Sequence, residues 1–393
     1  MRAGWEIKKF GEACTLERSH SKGAALPYVG LEDIVGGTGE FIGSTEPKKV
    51  QSSTFRFTSE HILYGRLRPY LNKVFLPDFD GHCSTEIFPI KPSPDVDRRY
   101  LYYWLSMDTT VREINLTSTG ARMPRANVDA ILEFPLPLTS LSEQQRIVGI
   151  LDEVFAGLAA AIVNTEENIG NARELFDSYL NSIFRNSGEG WIEKTLGDVC
   201  QFQGGSQPPK SKFSQEQKNG YVRLIQIRDY KSDKFAIYIP KSLTKKFCAA
   251  DDVMIGRYGP PLFQILRGMD GAYNVALMKA IPDEQLLSKD FLFFFLKNND
   301  ILSYIIRSSS RAAGQSGINK ETIEPYPIAF PSLPQQEEIV GSLRKREEEC
   351  ERLEANYEQK LGALADLKQS ILQKAFSGEL TSPPSHAIKE AAE

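Results

Sequence analysis

The chain of 393 residues is too long for one ordinary core, and at roughly 150 residues per domain it predicts two or three folded units. Its charged fraction of 25% and hydrophobic fraction of 41% match globular proteins and exclude a disordered or fibrous chain. Five cysteines without C-x-x-C spacing argue against a disulfide framework, and the longest apolar run of the first half, 154–163, is about half of a membrane span, so we expect a soluble cytoplasmic protein.

The net charge of -4 is distributed unevenly along the chain. Residues 1–139 carry 17 basic and 17 acidic side chains, and residues 188–331 carry 19 and 15. The acidic excess lies in 140–187, with 3 basic and 7 acidic side chains, and in 332–393, with 8 and 12. The two neutral or basic regions are therefore free to approach phosphate, whereas the acidic segments are expected to face solvent or a protein partner.

The sequence repeats itself, which predicts two equivalent domains at 1–139 and 188–331. The first match places Trp, Lys, Gly and Cys of 5–14 in register with 191–200. Later matches are an alternating strand pattern at 28–34 and 221–227, a G-R-x-x-P turn at 65–69 and 256–260, and aromatic helices at 100–105 and 291–296. A further strand is predicted at 235–239. The dense aromatic helices are predicted to be core rather than base-stacking surfaces.

The copies match most closely at their ends, where residues 135–149 align with 327–341 and continue without a gap to Phe184 and Phe376. This predicts two spacer helices of equal length, at 140–187 and 332–380, followed by a flexible tail at 381–393. Apolar residues at spacings of three, four and seven predict a coiled-coil seam. Its members are Val148, Leu151, Phe155, Leu158, Ile162, Ile169 and Phe176 in the first helix, and Leu343, Leu353, Tyr357, Leu364 and Ile371 in the second.

The first helix leads from one domain to the other, so the second helix is expected to return beside it in the antiparallel direction. An ordinary helical hairpin that packs the two domains together is the alternative. The matched length of the two copies favours a spacer, because nothing in a simple hairpin requires equal helices.

The sequence contains no recognisable catalytic motif. It has no G-x-x-x-x-G-K-[ST] phosphate loop, no G-x-G-x-x-G strand-to-helix turn and no N-P-P-aromatic or D-P-P-aromatic methyltransferase tetrapeptide. No Pro-Asp pair is followed closely by the acidic-x-Lys of a metal-dependent nuclease. The histidines His20, His61, His82 and His386 are scattered, so neither a catalytic group nor a metal site is predicted.

Basic and amide side chains of the two domains are therefore the candidate contacts to nucleic acid, since Lys and Arg neutralise phosphate, Arg reads guanine, and Gln or Asn reads adenine. They are Lys22, Arg66, Arg68, Lys73, Arg122 and Arg125 in the first domain, and Lys210, Lys212, Arg228, Lys231, Arg257, Arg307, Arg311, Gln315 and Asn319 in the second. Arg66 and Arg257 occur in both copies, which suits a backbone contact or a structural pair. Residues that differ between the copies are better candidates for base readout.

The whole chain resembles the specificity subunits of type I restriction-modification systems. The most specific marks are P-L-P at 135–137 leading into E-Q-Q-R-I at 143–147, its counterpart P-Q-Q-E-E-I at 334–339, and L-Q-K-A-F-S-G-E-L-T at 372–381. The end of the first helix departs from this pattern, because 186–190 only partly echo 377–380.

The resemblance implies an α+β fold of mixed α/β character, with two similar target-recognition domains separated by a long antiparallel two-helix coiled coil in a pseudo-two-fold repeat. Each domain would read one half of a bipartite double-stranded DNA target, and the helices would set the spacer and dock two modification (methyltransferase) subunits. Restriction (translocase-nuclease) subunits would join for cleavage. S-adenosylmethionine, ATP and Mg²⁺ would be held by those partners, leaving this chain without a cofactor or a catalytic role.

Two functions of other classes stay open on the sequence. One is a coiled-coil scaffold whose paired domains bind protein or peptide, and the other is an enzyme with an unrecognised nuclease site. DNA retention that falls steeply with salt separates the reader from the scaffold, and metal-dependent nicking by the chain alone would reveal the nuclease.

Overall fold

The computed structural model describes residues 4–21, 25–309 and 317–382. The chain divides into two compact units, Met1–Thr165 with Glu358–Glu393, and Glu166–Tyr357. Each unit therefore combines one predicted domain with part of both long helices, whereas the sequence division kept domains and helices apart. The tail predicted at 381–393 lies outside the described residues beyond Ser382.

The first unit mixes short strands and helices. Its strands are β1 (Glu6–Lys9), β2 (Cys14–Leu16), β3 (His20–Ser21), β4 (Tyr28–Val29), β5 (Thr54–Phe57), β6 (Ile62–Gly65), β7 (Val74–Phe75), β8 (Gly81–Ser84), β9 (Ile87–Pro92) and β10 (Pro135–Leu138). Its helices are α1 (Phe10–Ala13), α2 (Arg98–Leu105), α3 (Asp108–Leu116), α4 (Val128–Leu132) and the first part of α5 (Leu141–Arg185).

Three sheets organise this unit. Strand β1 pairs antiparallel with β10, which joins the start of the domain to its last strand. An antiparallel sheet has the order β2-β9-β6-β7, and a second four-stranded sheet has the order β3-β5-β8-β4, with β4 parallel to β8. The aromatic helix α2 is buried against the first of these sheets, and Tyr100, Leu101 and Trp104 belong to the same core cluster as Ile62 and Phe88.

The second unit uses the same types of element in the same order. Its strands are β11 (Ile192–Thr195), β12 (Cys200–Gly204), β13 (Tyr221–Ile225), β14 (Tyr238–Pro240), β15 (Phe247–Cys248), β16 (Val253–Gly256), β17 (Gln264–Leu266), β18 (Gly271–Tyr273), β19 (Leu277–Pro282) and β20 (Pro327–Phe330). Its helices are α6 (Leu196–Val199), α7 (Lys289–Lys297), α8 (Asn299–Ser309), α9 (Lys320–Ile323) and part of α10 (Leu333–Ser377). Helix α7 buries Phe291, Phe294 and Phe295, so both aromatic helices are core, as predicted.

The two units share one frame and differ at one sheet edge. Strands β11-β20 and β12-β19-β16-β17 repeat the first two sheets of the other unit. The third sheet has the order β14-β13-β18-β15, in which β13 is parallel to β18, as β4 is to β8. Its outer strand β14 lies beside β13, whereas the outer strand β3 of the first unit lies beside β5 on the opposite edge. A mixed α/β fold with two similar domains and two long helices is thus confirmed.

The strand match predicted at 28–34 and 221–227 is wrong by three residues. Tyr28 and Val29 pair with His82 and Cys83, and the residues in the same place of the second unit are Leu224 and Ile225, which pair with Ala272 and Tyr273. Tyr221 and Val222 lie three residues earlier, at the start of the longer strand β13. The strand predicted at 235–239 is also shorter than expected, because Phe235 ends a 3₁₀ turn and the strand β14 begins only at Tyr238.

A buried glutamine ties each long helix to its domain. Gln144 Oε1 accepts a hydrogen bond from the backbone N–H of Asp97 at 2.8 Å, and its Nε2 donates to the carbonyls of Asp95 at 3.0 Å and Thr139 at 2.8 Å. Asp97 is the N-cap of α2. The side chain therefore holds the start of α5, the end of β10 and the start of α2 together, and we call it the glutamine clamp.

The second unit repeats the clamp with Gln336. Its Oε1 accepts from the backbone N–H of Ser288, the N-cap of α7, at 2.9 Å. Its Nε2 donates to the carbonyls of Leu286 at 2.8 Å and Pro331 at 2.9 Å. The glutamine that the two repeats share, Gln144 in the first and Gln336 in the second, is thus explained by the need to satisfy three backbone groups in each copy.

Both long helices have 45 residues, and within each unit they run antiparallel to each other. In the first unit the Lys368 ammonium lies 5.6 Å from the Phe155 ring, and Glu143 near the start of α5 accepts from Thr381 beyond the end of α10. In the second unit Arg173 Nη2 lies 2.7 Å from Glu354 Oε2, and Tyr179 Oη lies 3.3 Å from Ser342 Oγ.

The side chains predicted to form the coiled-coil seam are buried or partly buried, with one exception. Val148, Leu151, Leu158 and Leu343 are buried, and the other predicted members except Leu353 are partly buried. Leu353 is 41% exposed. Cys350 bonds to the carbonyl of Ala172 in α5, and Glu354, four residues further on, pairs with Arg173. Position 354 rather than 353 therefore faces α5, because four residues come closer than three to one full helical turn.

Helix α5 is long and apolar enough to cross a membrane by length and composition. Its apolar window is mostly exposed in the described structure. The helix nevertheless carries Asp152, which accepts from Tyr103 Oη at 2.5 Å and pairs with Arg99 Nη2 at 2.7 Å, both on α2. We therefore interpret the start of α5 as packed on the first domain rather than as a membrane span, because an acidic group paired with a domain residue is costly to place in lipid.

Replacement of Gln144 by alanine is expected to destabilise the chain by about 3 kcal/mol, because three partly buried backbone groups lose their partners at a cost of about 1–3 kcal/mol each, partly relieved by water and by relaxation. Urea unfolding of the purified variant measures the loss. Gln145→Ala is the matched control, since Gln145 is exposed on the next position of the same helix. Equal stability of the two variants would show that the clamp contributes nothing.

Candidate nucleic-acid interface

The G-R-x-x-P turn of each unit has a strained backbone at equivalent positions. Arg68 has φ 51° and Asn72 has φ 44° in the first unit, and Gly259 has φ 98° and Phe263 has φ 60° in the second. Side chains other than glycine rarely adopt these left-handed angles, and such strain clusters at functional sites. The repeated geometry makes this turn the first candidate for a contact surface.

Each turn is held by a segment far away in the sequence. Arg68 N donates to the carbonyl of Pro124 at 2.7 Å, and Ala126 N donates to the carbonyl of Arg66 at 2.9 Å. In the second unit Ile318 N donates to the carbonyl of Arg257 at 3.1 Å. The fold thus brings the candidates of 66–73 and 122–125 to one edge of the first unit, which we call the turn edge.

Several predicted contacts at the turn edge are occupied by structural bonds. Arg66 Nε lies 3.0 Å from Glu86 Oε2, and Arg125 Nη2 lies 2.8 Å from Glu86 Oε1. Hydrogen bonds from Arg125 and then Arg66 hold the pKa of Glu86 below its usual value, against the opposing effect of burial. Lys73 Nζ donates to the carbonyl of Leu31 at 2.6 Å. These cations stabilise the turn rather than project from it.

Arg257 has the same structural role in the second unit. Its Nε donates to the carbonyl of Ile318 at 2.7 Å, its Nη1 to that of Val275 at 3.2 Å and its Nη2 to Asn319 Oδ1 at 2.8 Å. Arg66 and Arg257, the equivalent arginines of the two domains, therefore have structural roles rather than contacts to the DNA backbone. Asn319 was predicted as a possible adenine reader, but its side-chain oxygen accepts the hydrogen bond from Arg257.

Other side chains of the turn edge are exposed. Within the described part of the first unit, Arg68 and Arg122 are exposed and form no side-chain hydrogen bond or ion pair. Tyr70 is 53% exposed, and Met123 is exposed beside Arg122. Sequence reasoning missed Tyr70, although its place directly after Arg68-Pro69 in the repeated turn was a usable signal.

The remaining candidates of the second unit lie in other places. Lys210 and Lys212 form a 3₁₀ turn, and Arg228 lies in another at Ile227–Tyr230 with exposed Lys231 after it. Arg307 Nε bonds back to the carbonyl of Ser303 in its own helix at 3.1 Å. The candidates Lys22, Arg311 and Gln315 lie outside the described residues.

A buried ion cluster in the second unit removes further lysines from consideration. Asp252 lies 2.8 Å from Lys279 Nζ and 2.9 Å from Lys289 Nζ. Burial alone would raise the pKa of Asp252, but hydrogen bonds from Lys279, the Ala249 N–H and Lys289 lower it to about 2. These lysines are therefore poor candidates for a DNA contact, because drawing either one away would leave the Asp252 charge without compensation.

The described residues do not assemble an obvious catalytic or metal site. No group of three His, Cys, Asp or Glu suited to a metal ion occurs within 4–21, 25–309 and 317–382. His61 lies 3.1 Å from Glu17 and 3.0 Å from Thr58 Oγ1, a grouping that the sequence did not reveal. Its ring is buried, and Nδ1 also accepts the backbone N–H of Thr58 at 3.0 Å, so the contact is a structural tie.

Comparison with known proteins agrees with this duplicated frame. The family model described as the type I restriction modification DNA specificity domain matches the chain twice, at residues 3–168 and 188–362. The chain belongs to the type I restriction-modification specificity subunits. Sequence recognition of DNA is the function of this family, and the exposed cations of the turn edge are suited to it.

The similarity to individual relatives is moderate. The StySPI specificity subunit of Salmonella potsdam is 22% identical over 76% of this chain and 69% of its own length. The EcoBI specificity subunit of Escherichia coli is 27% identical over 76% and 68%. The EcoDI subunit of Escherichia coli is 29% identical, but the alignment covers only 30% of its length and 35% of this chain.

Solved structures show the same fold. A chain from a structure of complex assembly in the type I R-M system has a TM-score of 0.81 at 22% identity, over 97% of this chain and 99% of that one. The HsdS subunit from Thermoanaerobacter tengcongensis has a TM-score of 0.57 at 22% identity, over 97% and 98%.

Replacement of Arg68 and of Arg125 by alanine should distinguish an arginine that contacts DNA from one that stabilises the fold. The exposed Arg68 is expected to contact phosphate, so Arg68→Ala should weaken DNA binding of the assembled complex and reduce the slope of log affinity against log salt by about 1, with the Tm unchanged. Arg125→Ala should lower the Tm, because Glu86 loses its bidentate partner. Filter binding at several salt concentrations and thermal unfolding measure the two effects. A lowered Tm for Arg68→Ala with an unchanged salt slope would remove Arg68 from the interface.

Proposed function

We propose that each domain reads one half of a bipartite DNA target, that the two long helices set the spacer between the halves, and that they dock two modification subunits. The chain has no catalytic role of its own. S-adenosylmethionine, ATP and Mg²⁺ act on the modification and restriction partners, and the assembled complex works in the cytoplasm.

A shared frame that carries different exposed side chains is the observation that supports two readers. Arg66 and Arg257 hold equivalent turns, but the turn of the first domain presents Arg68 and Tyr70 where the second has Gly259 and Pro261. Different side chains on one frame offer different hydrogen-bond donors and apolar contacts to base edges. The two domains are therefore expected to prefer different half-sites.

Equivalent exposed leucines on the two helices support two docking sites for partner subunits. Leu175 on α5 is 66% exposed and belongs to the second unit. Leu367, at the matching position of α10, is 47% exposed and belongs to the first unit. The support lies in the repetition, because an exposed leucine at the matching position of both helices suits a partner that binds twice. The two helices also have equal lengths, which supports their role as a spacer.

Methylome sequencing of a host that carries this subunit with its modification partner tests the proposal. We expect a bipartite adenine-methylated motif with a fixed spacer, and replacement of residues 191–326 by the equivalent domain of a relative should change one half-site and leave the other and the spacer as they were. A motif in which both halves change would contradict separate readers. DNA retention by the complex that does not depend on salt would favour a protein-binding scaffold instead.

Substitution of Leu175 or Leu367 by glutamate should each remove one modification subunit, because a charge in the apolar contact opposes desolvation. Native mass spectrometry of the reconstituted complex should show the mass fall by one partner for each single variant and by two for the double variant. Leu116→Glu is the control, since Leu116 is an exposed leucine at the end of α3 and belongs to neither long helix. Full assembly of the double variant would place the docking surface elsewhere.

A further inference from the structure

The second domain has a surface cavity, here called the hollow, that lies beside a strand absent from the equivalent place in the first domain. Its volume is about 880 Å³. It is lined by Tyr238 of β14, by Arg223 of β13, by Phe213, and by the 3₁₀ turn Asp233–Phe235. Strand β14 occupies the sheet edge at which the two domains differ, so the hollow belongs to the second domain's own structure.

An exposed aromatic ring stands at this hollow between two cations. Phe235 is 55% exposed. The Arg228 guanidinium lies 5.4 Å and the Lys234 ammonium 5.5 Å from the ring centroid. The Ser232 hydroxyl caps the turn by accepting the N–H of Lys234 at 3.2 Å, which orders the backbone next to Phe235. An apolar face flanked by positive charge is suited to a base or sugar with phosphate beside it.

The polar groups of the hollow leave positive charge available. Arg223 Nη2 pairs with Asp233 Oδ1 at 2.7 Å, which neutralises one cation. Arg223 Nε is buried and has no acceptor among the residues that the structure describes. Arg228 Nε lies 4.0 Å from Asp229 Oδ1, at the limit of an ion pair, and Arg228 itself is exposed. Arg228 and Lys234 can therefore meet an anion.

The first domain has the opposite charge at the matching position. Asp33 Oδ2 accepts from Gly30 N at 2.7 Å, and Asp229 Oδ2 accepts from Gln226 N at 2.9 Å, so these two turns are equivalent. Arg228 precedes Asp229, and Glu32 precedes Asp33. A phosphate that is attracted in the second domain would be repelled in the first, so the hollow marks a difference between the two readers.

We infer that the hollow binds a nucleotide of the DNA half-site read by the second domain. Phe235 packs against a base or its sugar, and Arg228 and Lys234 contact the adjoining phosphates. The inference rests on the proposed function, and it assigns Phe235 as a specificity-determining residue of the second half-site.

The test uses the full subunit assembled with its modification partner. Phe235→Ala, Arg228→Ala and Lys234→Ala are compared with Lys245→Ala, which removes an exposed charge of the same domain outside the hollow. The readouts are the methylome, the affinity for a duplex carrying the wild-type motif, its salt dependence, and the Tm. Free dAMP serves as a second probe, because it offers the same chemistry without a duplex.

Phe235→Ala should weaken duplex binding about tenfold. It should also make the second half-site degenerate, because an apolar contact to a base edge is lost, and leave the first half-site unchanged. Arg228→Ala and Lys234→Ala should each reduce the salt slope by about 1 relative to Lys245→Ala, at an unchanged Tm. Variants that match the Lys245→Ala control in motif, affinity and salt slope would overturn the inference, as would a changed first half-site. Binding of dAMP that depends on Phe235 while the methylome stays unchanged would assign the hollow to a free nucleotide and also overturn it. Absence of a bipartite motif for the wild type would instead contradict the proposed function.

Discussion

Each domain depends on one buried glutamine at the start of a long helix. The backbone groups that Gln144 bonds belong to the end of β10 and to the segment that caps α2. The aromatic helix α2 and the first turns of α5 therefore take their positions from the same residue. Gln336 imposes the same constraint on α7 and α10. A helix fixed in this way at its first turn leaves its domain in a defined direction, as the proposed spacer role requires.

The basic side chains of each domain fall into two groups, those bound to acceptors within the fold and those exposed to solvent. Arg66 and Arg125 are bound to one carboxylate, Arg257 to two carbonyls and an amide, and Lys279 and Lys289 to Asp252. Such charges are poor contacts for DNA, because breaking a partly buried pair leaves the partner without compensation. Attraction to phosphate must then come from a few exposed groups, of which Arg68 and Arg122 lie at the strained turn.

The repeat, the two helices and the buried aromatic helices could be predicted because each leaves a periodic or duplicated pattern in the sequence. The register of β13 could not be predicted, since Tyr221-Val222 has the same residue types as Tyr28-Val29. Only the pairing of β13 with β18 shows that Leu224 and Ile225 are the equivalent residues. Leu353 was misassigned because a heptad rule cannot tell whether the third or the fourth residue after Cys350 faces the partner helix. The site was harder still. Residue type identified Arg66 and Arg125 as candidates, but Glu86, 20 residues from Arg66 and 39 from Arg125, decides that both are occupied.

The position of Phe235 shows where two copies of one frame can diverge without loss of stability. An extra strand on an existing sheet edge adds backbone hydrogen bonds and leaves the central strands unchanged, so either edge of the third sheet can accept one. The first domain adds β3 beside β5, and the second adds β14 beside β13. Each addition creates its own connecting segments, and in the second domain the segment between β13 and β14 carries Phe235 and Arg228. Glu32 in one domain and Arg228 in the other lie on turns with the same capping bond, so a change of charge there costs the frame little. Divergence at sheet edges and capped turns is therefore the route by which this fold can change what a domain reads while the glutamine clamp and the helices stay the same.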